Sequence, residues 1–139
     1  MAMTIQVDIV SAEAEIFSGV AEMVFVPAEI GEIGIMPRHA PLLSPLKAGE
    51  VRVKKMDGKE ESFYVSSGML EIQPHVVTVL ADTALRVKDI DEEKAKKAKK
   101  HAEKALKEGA SKMSYAEAQA ELAEAVAQLQ MVRRLRKKR

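Results

Sequence analysis

Residues 51–65 read Val-Arg-Val-Lys-Lys-Met-Asp-Gly-Lys-Glu-Glu-Ser-Phe-Tyr-Val. Val51 and Val53 alternate with charged residues, and a second apolar run, 62–65, follows the dipeptide Asp57-Gly58. Alternation of apolar and polar side chains is typical of a strand with one face in a core. Because Asp-Gly tolerates the positive φ angles of a tight turn, residues 51–65 are predicted to form a β-hairpin.

The rest of residues 1–88 follows the same pattern. Alternating runs recur at 5–9 and 70–73, and short apolar runs rich in β-branched residues occur at 23–26 and 76–80. All five prolines, six of the seven glycines and four of the five aromatic residues lie in this part of the chain. Short strands separated by turn residues predict an antiparallel β-sandwich or barrel.

The chain changes character after Lys88. Asp89-Ile90-Asp91 supplies a carboxylate N-cap, and no helix-breaking residue follows until Gly109. Ser114 and Glu117 match the capping box Ser-x-x-Glu, which predicts a second helix ending near residue 136. Since the break between the two helices is short, an antiparallel hairpin is the simplest arrangement.

The predicted fold class is therefore α+β, with a β domain over 1–88 and a helical hairpin over 89–139. The apolar seams of the two helices are rich in alanine: Ala95, Ala98, Ala102 and Ala105 in the first, and Ala118, Leu122, Ala125, Val126, Leu129 and Val132 in the second. Alanine is a strong helix former but removes little apolar surface from water. We expect stable helices that are weakly fastened to their surroundings.

Composition excludes several classes of protein. The 139 residues contain no cysteine, which rules out disulfides, thiol nucleophiles and thiolate metal sites. No apolar run is long enough to cross a bilayer, and the first residues lack a basic segment followed by an apolar stretch. We expect a cytosolic protein without a secretory signal.

The formal net charge of +1 hides an asymmetry between the two parts of the chain. Residues 1–88 contain 8 Lys/Arg against 12 Asp/Glu, a net charge of −4, and residues 89–139 contain 14 against 9, a net charge of +5. Six of the last seven residues are basic, and Arg133, Arg136 and Lys137 share a helical face by their spacing. This terminus fits a solvated tail, a contact for an acidic protein, or a contact for nucleic acid or anionic lipid.

The candidate catalytic residues are few. His39, His75 and His101 have no histidine or carboxylate neighbours at metal-ligand spacing. The chain contains neither a nucleophile elbow nor a glycine-rich phosphate loop. We therefore predict no catalytic residue and no metal site, and we interpret His39 as a hydrogen-bonding residue of a proline-rich loop.

Three stretches closely resemble the ε subunit of the bacterial F-type ATP synthase. They are Gly31-Glu32-Ile33-Gly34-Ile35-Met36-Pro37-Arg38-His39-Ala40-Pro41-Leu42-Leu43, then Val65-Ser66-Ser67-Gly68-Met69-Leu70-Glu71-Ile72-Gln73-Pro74, and Val77-Thr78-Val79-Leu80-Ala81-Asp82 leading to Asp89-Ile90-Asp91. The resemblance covers essentially the whole chain. It implies a β-sandwich followed by a helical hairpin, in a non-catalytic rotor subunit of the central stalk. Such a subunit is peripheral, lies on the cytoplasmic face of the inner membrane, and helps to couple proton flow to ATP synthesis.

The resemblance also implies the partners. The sandwich of the family binds the γ subunit and the c-subunit ring, which maps here to Ser11, Glu29, Glu32, Arg38, His39 and Ser44 in and around a loop at 29–39. The hairpin of the family folds against the sandwich or extends along γ to the catalytic α and β subunits, where it inhibits ATP hydrolysis. Arg133, Arg134, Arg136 and Lys137 would then face an acidic segment of β. No nucleic acid is implied, and the membrane is reached only through the complex.

Two departures from the family pattern stand out. Most relatives have Pro-Gly-His where this chain has Pro37-Arg38-His39. Some relatives bind regulatory ATP through Ile/Leu-Asp-x-x-Arg-Ala, but here Lys94 replaces the arginine that follows Asp91.

The other ATP-binding positions have changed as well: Glu124 and Gln128 replace the arginines of the second helix and supply no cation, and Leu85 replaces a glutamate. Asp91 and Lys94 are left as a degenerate ATP site, so we predict weak or absent ATP binding and no cofactor. A stand-alone adaptor that binds acidic protein or nucleic acid through the basic helix is the alternative function.

Overall fold

The computed structural model describes residues 3–108 and 114–137, which fall into two compact units, Met1–Arg86 and Val87–Arg139. The strands of the first unit are β1 (Ile5–Ser11), β2 (Glu15–Ala21), β3 (Met23–Ala28), β4 (Gly31–Ile35), β5 (Leu42–Leu46), β6 (Gly49–Lys54), β7 (Glu60–Val65), β8 (Gly68–Ile72), β9 (Val76–Ala81) and β10 (Ala84–Arg86). The second unit contains a 3₁₀ turn (Val87–Asp89) and the helices α1 (Glu92–Glu108) and α2 (Tyr115–Lys137). A β-sandwich followed by two helices is the predicted fold class, which is confirmed.

The core of the first unit is built from every second residue of its strands. In β1, Ile5, Val7 and Ile9 are buried while Gln6 and Asp8 lie at the surface, as the alternating pattern predicts. The same alternation buries Val51 and Val53 in β6 and Leu70 and Ile72 in β8. Each strand therefore contributes one apolar face to a shared interior, which is the main source of stability.

The strands follow one hydrogen-bonded path, β10-β7-β6-β3-β5-β8-β9-β1-β2, with β4 added to the side of β3. The two ends of the path meet. Arg86 of β10 donates from Nη2 to the carbonyl oxygen of Ile16 in β2 at 2.8 Å, and the rings of Phe17 and Phe63 lie 5.3 Å apart. The sheet thus folds over onto itself and encloses its apolar face.

One pairing departs from a wholly antiparallel sandwich. β1 runs parallel to β9, with Val7 beside Val77, although the other strand pairs are antiparallel. Period-two alternation is the same in both kinds of ladder, so the sequence pattern carries no signal for direction. The parallel pair is possible because β2 to β8 lie between these two strands in the sequence and provide the long connection that parallel pairing needs.

The hairpin predicted at 51–65 is confirmed, but its turn is longer than the dipeptide indicates. β6 and β7 are joined through Lys55–Lys59, whose main-chain N and O atoms are 2.8 Å apart. Within this turn, Gly58 is the one residue with a positive φ, of 84°. The carboxylate of Asp57 accepts a hydrogen bond from the Lys59 amide at 2.9 Å. Glycine therefore supplies the left-handed residue and aspartate supplies a side-chain acceptor.

The prediction of a loop over residues 29–39 is wrong for the first half of this segment. Residues Gly31–Ile35 form β4, which pairs with β3 through a tight turn at Glu29 and Ile30. Gly34 lies beside the rings and methyls of β3: a Cβ there would come within 2.8 Å of the Met23 Cε atom. Two glycines in five residues made this segment look like a loop, whereas Gly34 is there because the neighbouring side chains fill its space.

Both predicted N-caps of the helices are confirmed. The carboxylate of Asp91 accepts a hydrogen bond from the Lys94 amide at 3.1 Å. The amide of Glu117 donates to the Ser114 hydroxyl at 3.1 Å, and the Ser114 amide donates to the Glu117 carboxylate at 3.4 Å. The end of the first helix predicted at Gly109 lies outside the described residues.

The two helices form an antiparallel hairpin, since the start of α1 lies beside the end of α2. Arg136 donates to the carboxylate of Glu92 at 2.6 Å, and His101 lies 3.2 Å from Glu121 near the middle of the pair. The Arg136 hydrogen bond is the main cause that lowers the pKa of the Glu92 carboxyl, and Lys96 adds to it.

The buried residues of the hairpin are mainly alanines, as predicted: Ala95 and Ala102 in α1, and Ala118, Ala125, Leu129 and Met131 in α2. Met131 lies outside the predicted seam. Ala98, Ala105, Leu122, Val126 and Val132 are only partly buried. Because a buried leucine contributes roughly 1.5–3 kcal/mol and an alanine much less, this seam is weak for its length.

We expect Gly68→Ala to destabilise the sandwich by at least about 3 kcal/mol. Gly68 has a φ of 152°, and a Cβ there would lie 2.0 Å from the main-chain oxygen of Leu80. Gly31→Ala is the matched control, because Gly31 has a φ of 132° but no atom within 4 Å of the added Cβ. Its cost should be limited to about 1–2 kcal/mol of backbone strain. Urea denaturation followed on sandwich NMR signals measures both, and equal losses would contradict the prediction.

We expect Arg136→Ala to raise the pKa of the Glu92 carboxyl toward its ordinary value of 4.5. Since folding lowers this pKa, the pair stabilises the hairpin above about pH 4.5, and the stabilisation is lost as the pH falls through the lowered folded-state pKa. Carboxyl NMR titration gives the pKa directly. Arg133→Ala is the control and should leave the Glu92 titration unchanged; an identical shift in both variants would exclude the Arg136 hydrogen bond as the cause.

Candidate functional site

Arg38 and His39 occupy a turn that joins β4 to β5. The Met36 oxygen accepts a hydrogen bond from the His39 amide at 3.2 Å, and the Arg38 amide donates to the Pro74 oxygen at 2.9 Å. Arg38 has a φ of 67°, and no other non-glycine residue in the described ranges has a positive φ. Arginine in this conformation costs roughly 1 kcal/mol relative to glycine, so the turn is held by its main-chain hydrogen bonds while the guanidinium remains exposed.

The His39 ring is half-buried and is oriented by its own main chain. Its Nδ1 atom lies 2.6 Å from the oxygen of Ala40. Over the residues that the structure describes, no group of three or more His, Asp or Glu side chains is placed to hold a metal ion. The ring therefore has the local hydrogen bond predicted from the proline-rich loop.

Glu29 and Glu32 lie on the β3–β4 hairpin, but in different environments. Glu29 is exposed at the turn, next to Ile30, whose side chain is 85% exposed. Glu32 lies within β4, and its Oε1 atom accepts a hydrogen bond from Nη2 of Arg52 at 2.9 Å. The guanidinium of Arg52 in turn stacks over the Phe25 ring at 4.2 Å.

The two predicted serines are used within the sandwich. The Ser11 hydroxyl accepts hydrogen bonds from the amides of Glu13 and Ala14, at 3.3 and 3.2 Å, and so closes the turn between β1 and β2. Ser44 is only 7% exposed and donates to the oxygen of Pro45 at 3.1 Å. Of the six sandwich residues predicted to contact partners, Glu29, Glu32 and Arg38 have the most accessible side chains.

Exposed apolar side chains accompany these charged residues, and the sequence analysis did not select them. Ile30, Met36 and Leu43 are 85%, 60% and 65% exposed. A large apolar residue at a hairpin turn is unusual, because turns favour Gly, Asn, Asp and Ser, and that was the available signal at Ile30. Arg52 was also missed, since a basic residue in an alternating strand gives no sign of its neighbours.

The four basic residues predicted at the end of α2 fall into two groups. Arg133 and Lys137 are exposed one turn apart, and neither forms an ion pair within the described ranges. Arg136 donates a hydrogen bond to Glu92. Arg134 is half-buried and also interacts with another group of the chain. The helical spacing places Arg133, Arg136 and Lys137 on one face, as predicted, but Arg136 is already occupied by an internal carboxylate.

A cavity of about 400 Å³ in the second unit is lined by residues of the 3₁₀ turn, the start of α1 and the end of α2: Val87, Lys88, Ile90, Glu92, Val132, Leu135 and Arg136. Neither Asp91 nor Lys94 lines it. The Asp91 carboxylate caps α1, and the Lys94 side chain is exposed. This cavity therefore does not coincide with the degenerate ATP motif.

Comparison with known proteins covers both units. The model of the family ATP synthase, Delta/Epsilon chain, beta-sandwich domain matches residues 4–87, and that of the long alpha-helix domain matches residues 88–133. The chain is 64% identical to the ATP synthase epsilon chain of Nitrosococcus oceani, over 99% of both chains. It is 61% identical to ATP synthase epsilon chain 1 of Methylococcus capsulatus, over 100% of this chain and 99% of the relative.

Solved structures show the same fold at low sequence identity. A chain of the mitochondrial ATP synthase of Euglena gracilis matches with a TM-score of 0.74 at 20% identity, over 94% of this chain and 81% of the other. A chain of the Tetrahymena thermophila mitochondrial enzyme matches with a TM-score of 0.57 at 12% identity, over 95% and 97% of the two chains. No helix in the described ranges is long and apolar enough to cross a membrane. The match of both family models and the identity along nearly the full length show that the chain belongs to the ATP synthase delta/epsilon family, among the epsilon chains of the F-type enzyme.

Proposed function

We propose that the chain works as a non-catalytic, regulatory rotor subunit in the central stalk of a proton-translocating ATP synthase. The observation that carries this proposal is the identity of 64% with an epsilon chain over 99% of both sequences, which spans the sandwich and the hairpin alike. A subunit conserved in both units is expected to keep both tasks of the family: attachment to the rotor and control of ATP hydrolysis. Its place would be peripheral, on the cytoplasmic face of the bacterial inner membrane.

Attachment is assigned to the sandwich, with the γ subunit and the c-subunit ring as partners. Glu29, Glu32 and Arg38 offer accessible charged groups, while His39 offers a half-buried ring in a fixed turn. Ser11 and Ser44 stay predictions, and their internal hydrogen bonds favour a contribution through backbone shape rather than through the hydroxyl groups. Exposed Ile30, Met36 and Leu43 would supply the apolar area that charged rim residues lack.

Control of hydrolysis is assigned to the hairpin, which would reach the catalytic α and β subunits in an extended state. Arg133 and Lys137 point outward without an internal partner among the described residues and would meet an acidic segment of β first. Arg136 would have to leave Glu92 to join them. Because charge complementarity mainly steers and orients a contact, these residues are expected to select the docking position.

The alanine-rich seam supports a movable hairpin. A seam with few large buried side chains leaves the folded and extended states within a few kcal/mol of each other, where a partner can shift the populations. The stable, well-capped helices α1 and α2 would persist in either state, because their caps and internal hydrogen bonds do not depend on the seam.

Deletion of Asp89–Arg139 is expected to leave a folded sandwich that still co-purifies with γ and the c ring, and to raise the ATPase activity of the assembled complex. The physical reason is that the core of the sandwich lies entirely within the first unit. ATPase assays of complexes with the full and the shortened chain measure the effect, and unchanged hydrolysis would show that the hairpin is not inhibitory. Loss of γ from the shortened complex would contradict the assignment of attachment to the sandwich.

Two double charge-reversal variants distinguish a specific effect of the basic residues at the end of α2 from an effect of overall positive charge. Arg133→Glu with Lys137→Glu should relieve inhibition by several-fold. Lys97→Glu with Lys104→Glu, on the exposed face of α1, changes the net charge equally and should leave hydrolysis unchanged. Equal relief by both pairs would mean that overall charge, and not this contact, sets the inhibition.

The isolated chain is expected to bind ATP weakly or not at all, because Lys94 lacks the arginine fork and Glu124 and Gln128 supply no cation. Isothermal titration calorimetry measures this. A dissociation constant in the low micromolar range would overturn the prediction, and the variant Lys94→Arg with Gln128→Arg is the control for a site restored by two cations.

A further inference from the structure

The outward face of β4, β3 and β6 carries Arg52, which lies on β6. Register places β3 between the other two strands, with Phe25 beside Gly34 on one side and beside Arg52 on the other. Glu32 lies two residues before Gly34 in β4, opposite Pro27. Arg52 therefore has to reach across β3 to bond Glu32, which it does at 2.9 Å.

We propose that Arg52 is a positioning residue that holds the Glu32 carboxylate in the orientation in which it binds a cationic group of the rotor partner. This inference rests on the proposed function, because it concerns the same sandwich surface. It adds a residue that no resemblance pointed to and states the chemistry of the group that the surface receives.

The Phe25 ring and Gly34 shape the space that the Arg52 side chain occupies. The guanidinium carbon of Arg52 lies 4.2 Å above the Phe25 ring, so the flat group rests on an aromatic surface. Gly34 leaves room beside that ring: a Cβ at this position would be 3.4 Å from the Phe25 Cε1 atom and 2.8 Å from the Met23 Cε atom. The aromatic ring supports the guanidinium, and the missing side chain at Gly34 leaves room for it to reach Glu32 on β4.

The side chains of Arg52 and Glu32 differ in their exposure to solvent. The Arg52 side chain is 24% exposed and the Glu32 side chain is 52% exposed. Arg52 bonds Oε1 of Glu32, and no other hydrogen bond or ion pair of this carboxylate occurs within the described ranges. The shielded group is thus the arginine, and the glutamate presents its second oxygen to solvent.

Carboxylates surround the Arg52 guanidinium. Nε of Arg52 lies 3.7 Å from Glu50 and Nη1 lies 3.9 Å from Glu60, so one guanidinium faces three carboxylates. These four side chains, one guanidinium and three carboxylates, together have more negative than positive formal charge. A cationic group of the partner complements this excess, whereas a second carboxylate would be repelled.

The expected benefit is preorganisation and not the strength of the ion pair itself. A surface salt bridge adds little to folding. A flexible glutamate, however, loses rotamer freedom when it binds a partner, and that loss weakens association by roughly 2- to 12-fold for a side chain. Because Arg52 orders Glu32 beforehand, loss of Arg52 should weaken binding by a factor in this range.

The test measures the dissociation constant of the full-length chain for ATP synthase complexes depleted of this subunit. Glu32→Gln should weaken binding by about tenfold, and Arg52→Ala by roughly 2- to 12-fold. Arg52→Ala added to Glu32→Gln should cause no further loss, because there is no carboxylate left to position. Arg52→Lys should restore part of the affinity, since lysine keeps the charge but lacks the planar fork.

Lys54→Ala is the matched control. Lys54 lies on the same face of β6 and forms a longer ion pair with Glu22 at 3.9 Å, and its removal should leave the affinity unchanged. Thermal unfolding of every variant detects a structural effect: the Arg52 variants should lose affinity without a comparable loss of melting temperature.

Several results would overturn the proposal. An equal loss from Arg52→Ala in the wild-type and Glu32→Gln backgrounds would mean that Arg52 acts independently of Glu32. Full affinity of Arg52→Ala beside weakened Glu32→Gln would show that no positioning is needed, and would leave the proposed function standing. Full affinity of Glu32→Gln would remove Glu32 from the interface, while co-purification with γ would still test the proposed function separately.

Discussion

The first unit depends on the requirement that a sheet with one apolar face must cover that face. β-Branched and aromatic side chains alternate inward along the strands, and a flat sheet would leave this surface in water. The strand path therefore folds over until β10 lies against β2, where Arg86 donates to the Ile16 oxygen and Phe17 packs on Phe63. Closure also gives the terminal strands partners on their side-chain faces.

The hairpin is built on the opposite principle. Each helix is stabilised by its own N-cap, Asp91 in α1 and the reciprocal Ser114–Glu117 capping box in α2. The helices pack mainly through alanines. Capping contributes about 1 kcal/mol at each N-terminus, whatever the helix packs against. An element of this kind can keep its secondary structure while its packing changes. The Glu92–Arg136 pair adds a contact that depends on pH and salt at the open end of the hairpin.

Accessible polar groups on the sandwich are fewer than the sequence suggests, because several of them form internal contacts. Ser11 and Ser44 hydrogen-bond within their own turns and strands, and Glu32 is shared with Arg52. Arg38 is different, because main-chain hydrogen bonds to the oxygens of Pro74 and Met36 stabilise its left-handed turn. Its side chain is not needed to hold this turn. Its exposed guanidinium, together with the exposed side chains of Ile30 and Leu43, makes this part of the sandwich a candidate contact surface.

The sequence by itself determined the elements that depend on local chemistry and periodicity. Alternation at 5–9, 51–54 and 70–73 predicted which side chains are buried, and Asp91, Ser114 and Glu117 predicted where the helices begin, because capping involves residues no more than three positions apart. Tertiary structure alone decided the parallel pairing of β1 with β9, the strand at Gly31–Ile35, and the partners of Arg52 and Arg136. The β1–β9 pair and the contacts of Arg52 with Glu32 and of Arg136 with Glu92 join residues 20 to 70 positions apart. β4 pairs with β3 through a local turn, but like the others it depends on packing against neighbours that a local pattern does not contain.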